Sequence, residues 1–116
     1  MAIQNWSDKI TVVELSEEPL FTDELSSVMD SLESQPTHVI LNFAAIGFIN
    51  SSNVSRLLRL RKLLTAQHRR LMFCNVNNQV WGVLLVTGLD KIFEFTDDIS
   101  TALAMVQLGA KAPARK

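Results

Sequence analysis

Strand-like and helix-like segments alternate along this chain, and that alternation limits the fold more than any other feature. Four short runs rich in β-branched and apolar residues lie at positions 10–15, 38–43, 71–76 and 92–95. Between and after them, apolar residues recur at helical spacing. A half-buried strand shows period two, a fully covered strand is apolar throughout, and a helix face shows period 3.6. Strands and helices in strict turn imply a parallel sheet, because parallel neighbours are joined by long, right-handed crossover connections. The predicted order is β-α-β-α-β-α-β-α. The fold class is α/β, with a mostly parallel central sheet of about four to five strands and about four helices.

The helices can be bounded from local chemistry. Thr22 is placed to cap the first, with Asp23 and Glu24 in its opening turn. Leu25, Val28, Met29 and Leu32 form its buried face, and Pro36 stops it near Ser34. The second runs from about Ser52 to Gln67. Val54, Leu57, Leu60 and Leu64 make its inner stripe, while Arg56, Arg59 and Lys62 fall on the other side. Asn77 and Asn78 open the third helix, which Gly88 closes. Thr96 or Asp97 is expected to cap the last, whose apolar face is Ile99, Ala102, Leu103 and Val106.

The 116 residues suffice for one domain, expected over residues 1–110 with a tail at 111–116. Hydrophobic residues make up 47% and the formal net charge is −1, so no overall basic field draws the chain to nucleic acid. Residues 1–9 carry no long apolar run, and no segment approaches the ~20 apolar residues of a membrane span. The expectation is a cytoplasmic protein without membrane insertion. The single cysteine, Cys74, follows Leu71, Met72 and Phe73 in a core strand, where an inert thiol is expected.

The residues argue against catalysis. His38 and His68 have no metal-ligand spacing to Cys, Asp or Glu, and His68 fits a helix C-terminus. There is no nucleophile elbow and no glycine-rich phosphate loop, and the chain has only four glycines. No enzyme activity, cofactor or metal is expected. The segment with chemical character is Ile49-Asn50-Ser51-Ser52-Asn53-Val54, which sets two hydroxyls where a loop meets a helix N-terminus. Unpaired backbone N–H groups and the helix dipole favour negative charge there. Two readings are open: Asn50, Ser51 or Ser52 is simply the helix cap, or Ser51 accepts a phosphate of about −1.5 to −2 charge at pH 7.

Residues 37–108 resemble STAS domains, the family named for sulfate transporters and anti-sigma factor antagonists. Val39-Ile40-Leu41-Asn42-Phe43, followed by Phe48-Ile49-Asn50-Ser51-Ser52, is similar to the family's strand and Asp-Ser-Ser-Gly turn. Arg70-Leu71-Met72-Phe73-Cys74-Asn75-Val76 is similar to its third core strand. Val86-Thr87-Gly88-Leu89-Asp90-Lys91-Ile92-Phe93 is similar to its Thr-Gly-Leu-Asp-Lys-Phe signature. Asn50 stands where the family has Asp, Asn53 where it has Gly, and Ser16-Glu17-Glu18-Pro19 where it has Gly-Glu-Leu-Asp.

The resemblance implies a binding module in a partner-switching pathway. Its partner would be an anti-sigma factor or a serine kinase of the anti-sigma type, and Ser51 would be the phosphorylated residue. A STAS scaffold that is never phosphorylated is the alternative. Around Ser51, the residues expected to meet the partner are Asn50, Ser52, Asn53, Arg56 and Arg59, with Trp81 as a partly exposed aromatic on the third helix.

Overall fold

The computed structural model describes residues 2–110, so the tail expected at 111–116 lies outside the described residues. A five-stranded sheet runs in the order β1-β2-β3-β4-β5, comprising Ala2–Ser7, Ile10–Glu14, His38–Asn42, Leu71–Cys74 and Glu94–Thr96. β2 to β5 are parallel, in register Ile10↔His38, Val39↔Leu71 and Phe73↔Phe95. The helices are α1 (Leu20–Ser34), α2 (Ser51–Ala66), α3 (Asn78–Val86) and α4 (Ile99–Leu108).

One strand escaped the periodicity argument. β1 pairs antiparallel with β2 at the sheet edge, which makes the order β-β-α-β-α-β-α-β-α. Residues 3–7 are exposed, so neither an apolar run nor a buried alternation marks them.

The inner strands show why they must be apolar on both sides. Val39, Leu41 and Phe73 point to the face that also buries Leu25, Leu32, Leu57, Leu60 and Leu84 from α1, α2 and α3. Ile40, Met72 and Cys74 point the other way, against Ala102 and Val106 of α4. Successive residues thus enter different cores. Burying one such Leu or Phe contributes about 1.5–3 kcal/mol. On the α1–α3 face, Phe73 stacks on Phe93 with ring centres 4.6 Å apart and meets the edge of Phe95 at 5.4 Å.

Two expected caps move. α1 begins at Leu20, with Pro19 in the cap position. Thr22 lies inside the helix, and its backbone N–H donates to Glu18 Oε1 at 2.9 Å, so a carboxylate from the preceding loop does the work assigned to the threonine hydroxyl. α2 begins at Ser51, and of the three candidates Asn50 is its cap. Asp98, not Thr96 or Asp97, caps α4 by accepting from the Thr101 N–H at 2.7 Å. That bond holds the Asp98 carboxyl below its ordinary range. Gly88 does end the α3 segment, with φ of 76°, a conformation that costs glycine nothing.

Candidate functional site

β3 ends at Asn42, and the connection that follows is anchored from below by buried Phe43, Ile46 and Ile49. It is also tied sideways. The Gly47 N–H donates to Glu17 Oε1 at 3.0 Å, and the Asn77 side chain donates to the Ile46 carbonyl at 3.0 Å. A Cβ on Gly47 would stand 3.3 Å from that Glu17 oxygen, so the bare backbone permits the approach. The anchored loop delivers Asn50 to the start of α2.

Asn50 and Asn53 close a reciprocal cap. Asn50 Oδ1 accepts from the Asn53 N–H at 2.8 Å, and Asn53 Oδ1 accepts from the Asn50 N–H at 3.0 Å. This is a capping box with an amide in place of the usual Glu or Gln. The Asn53 side-chain NH2 then donates to Glu18 Oε2 at 3.0 Å. Glu18 also accepts from the Thr22 hydroxyl at 2.8 Å, and Arg56 Nε donates to that hydroxyl's oxygen at 3.1 Å. A single carboxylate therefore joins the N-termini of α1 and α2. Bonds from the Thr22 N–H and hydroxyl hold the Glu18 carboxyl below its ordinary value, with smaller contributions from Asn53 and Arg56.

The predicted site residues separate into three groups. Asn50, Ser51, Ser52 and Arg59 are exposed. Asn53 and Arg56, expected on the partner surface, turn inward: Asn53 is buried within the cap, and half-buried Arg56 reaches Thr22. Both serve the α1–α2 junction, because position 53 faces the core side of the helix and position 56 its flank. Trp81 is half-buried, edge-on to Phe95 with ring centres 5.0 Å apart, and lies on a different helix from the serines.

At 100° per residue, Ser51 projects about 200° around the helix from Asn53, away from Glu18. Ser55, Leu58, Arg59 and Lys62 follow Ser51 on the same outward face, and all are exposed. α2 carries four basic residues and no acidic one.

Phe48 was missed by the sequence reading. It is 61% exposed, three residues before Ser51, while Ile46 and Ile49 beside it are buried. The connection at 44–49 is apolar in sequence, and nothing local marks which member points outward. Cys74, by contrast, is buried as expected, and burial, with a smaller push from Asp98, raises its thiol pKa to about 12.

Comparison with known proteins places the chain in a family. The family model described as STAS domain matches residues 3–102, and the chain belongs to that family. No curated protein matches it in sequence. Among solved structures, it is similar to a Thermotoga maritima protein assigned as an anti-sigma factor antagonist. The TM-score is 0.81 at 19% identity, over 91% of this chain and 93% of that one. It is similar to the anti-sigma factor antagonist SpoIIAA in its unphosphorylated form, with TM-score 0.78 and 18% identity over 93% and 96% of the chains. The phosphorylated form of the Bacillus cell fate determinant SpoIIAA gives TM-score 0.71 and 19% identity over 90% and 97%. The fold shared with these structures is a single α/β domain with a mostly parallel sheet. Among the described residues, no helix is long and apolar enough to cross a membrane.

Proposed function

We propose that this chain is a phospho-regulated binding module of the anti-sigma factor antagonist class, acting in the cytoplasm in a partner-switching pathway, with Ser51 as the phosphate acceptor. The observation that carries the reading is the position of Ser51: the first residue of α2, exposed, with its side chain free of the capping bonds that Asn50 and Asn53 complete. Its partner would be an anti-sigma factor or an anti-sigma serine kinase. The docking surface consists of Phe48, Asn50, Ser51, Ser52 and the outward face of α2 through Arg59. Trp81 would extend this surface on α3.

The physics makes an asymmetric switch. A phosphate on Ser51 meets the positive end of the α2 dipole, a favourable contribution of about 0.3–1 kcal/mol at an exposed position. A partner packed over the same serine would have to desolvate a double charge, which costs several kcal/mol. Folding then changes little while binding collapses.

The test is incubation with the cognate anti-sigma kinase and ATP, with the modified residue mapped by mass spectrometry. Phosphate on Ser51 supports the reading; phosphate on Ser52 alone, or on neither, defeats it. Ser51→Ala should bind the partner regardless of ATP. Ser51→Asp should bind at least about 100-fold more weakly while melting within a few degrees of wild type.

A scaffold that is never phosphorylated is the second reading. It draws on Asn50 and Asn53, whose amides cap each other's N–H groups at the start of α2 without any anion.

A further inference from the structure

At the end of α2 remote from Ser51, the helix, the turn at 67–70 and β5 enclose a small cavity of about 160 Å3. Arg61, Thr65, Arg69, Arg70 and Glu94 line it, with Ile92 at its margin. Three guanidinium groups meet one carboxylate there, which leaves two positive charges uncompensated among the lining residues. Glu94 is already engaged: it accepts from Arg70 Nε at 3.1 Å and from Arg70 Nη2. Arg70 Nη1 donates to the Met105 carbonyl at 3.1 Å, so Arg70 is a fixed wall.

The other two arginines have donors to spare. Arg61 Nε donates to the Ile92 carbonyl at 3.0 Å, which orients the guanidinium. Among the described residues its terminal nitrogens have no acceptor. Arg69 Nη1 reaches only the carbonyls of Gln67 and His68, each at 3.5 Å, beyond the usual range of an N–H···O bond. Guanidinium groups gathered around one concavity repel each other, and an oxyanion entering it relieves that repulsion. Their planar forks match phosphate oxygens in pairs. The positive field also reaches beyond the cavity. His38, at the start of β3, is held below its ordinary pKa by burial and then by Arg69, Arg70 and Lys9.

We propose that this cavity is a second binding site, taking the phosphoryl group of a phosphate monoester between Arg61 and Arg69, with the Thr65 hydroxyl as a further donor. A dianion of about −1.5 to −2 charge matches the two free positive charges better than a carboxylate does. The site lies about 21 Å along α2 from Ser51, at 1.5 Å per residue. It stands whether or not Ser51 is ever phosphorylated.

The experiment follows the arginine side-chain N–H resonances of the full chain by NMR while inorganic phosphate is added at constant ionic strength. Saturable shifts confined to Arg61, Arg69 and Arg70 are expected. Arg61→Gln and Arg69→Gln should each weaken binding about tenfold, the scale of a charge-assisted hydrogen bond. Arg59→Gln, on the outward face, should leave it unchanged. Thermal melts confirm that the variants are folded; Arg69 is exposed, so its variant tests the site even if Arg61→Gln unfolds the edge. Parallel titrations with O-phosphoserine and adenosine 5′-monophosphate separate a phosphoprotein-type source from a nucleotide, according to which saturates at lower concentration. Shifts that never saturate, that chloride reproduces, or that survive both glutamine variants would overturn the proposal.

Discussion

At its N-terminus α2 is surrounded by amides and carboxylates; at its C-terminus it is surrounded by guanidinium groups. Both ends are tied to distant parts of the chain, through Glu18 at one and through Arg61 and the Ile92 carbonyl at the other. The difference lies in what remains unsatisfied. At the N-terminus the cap pairs the Asn50 and Asn53 N–H groups and leaves hydroxyls and Phe48 facing solvent. At the C-terminus Glu94 is consumed by Arg70, and two arginines keep unused donors. One end therefore suits a protein partner that buries an aromatic side chain, and the other suits a small anion.

The largest expected effect tests that division directly. Phe48→Ala should reduce partner affinity at least about 30-fold, since a buried aromatic anchor is worth 2 kcal/mol or more. Its melting temperature should hold, because the side chain supports no core. Arg61→Gln should leave partner affinity intact in the same calorimetric titration. Equal losses from the two variants would make the two ends of α2 one surface.

Removing the cap comes next. Asn50→Ala should cost about 1 kcal/mol in urea unfolding, the usual value of a lost N-cap side chain. Glu94→Gln should cost less, about 0.5–1 kcal/mol, because the Arg70 pair is partly solvated at 22% and 29% side-chain exposure. A larger loss at Glu94 than at Asn50 would reverse the ranking of the two ends.

The smallest effects are in pH dependence, where the two regions should separate by window. His38 has a folded pKa below its ordinary 6.5, so its contribution is present above that value and is lost as pH falls through the folded pKa. Glu18 has a folded pKa below 4.5, so its contribution is present above 4.5 and is lost only as pH falls further. In urea midpoints measured against pH, His38→Gln should flatten the slope just below 6.5. Glu18→Gln should flatten it below 4.5. An unchanged slope in either variant removes that group from the linkage.

Much of the fold was legible in the sequence because it rests on local pattern. The apolar runs of β2 to β4 and the 3.6 spacing of Leu57, Leu60 and Leu64 report burial within a few residues of themselves, whereas β5 lies at Glu94–Thr96 and not at 92–95, because Ile92 is exposed and only residues 94–96 pair with β4. Asn50, Ser51 and Ser52 were recognisable as a helix start because capping is a short-range matter of side-chain reach. β1 was not legible, since an exposed edge strand has no face to bury. Arg56 was misread as a solvent residue because periodicity assigns a side to the helix but does not say what packs there.

By itself the sequence determined the α/β alternation, the placement of Ser51 at a helix N-terminus and the burial of Cys74. Only the tertiary structure decided that Glu18 reaches Asn53, 35 residues away, and that Arg70 reaches Glu94 across 24. It also decided that Phe48 points outward between two buried isoleucines. The reason is range. Caps and periodicity are set by contacts within one helical turn or along one strand, while the partners of a charged side chain depend on how separate elements register once their cores have packed.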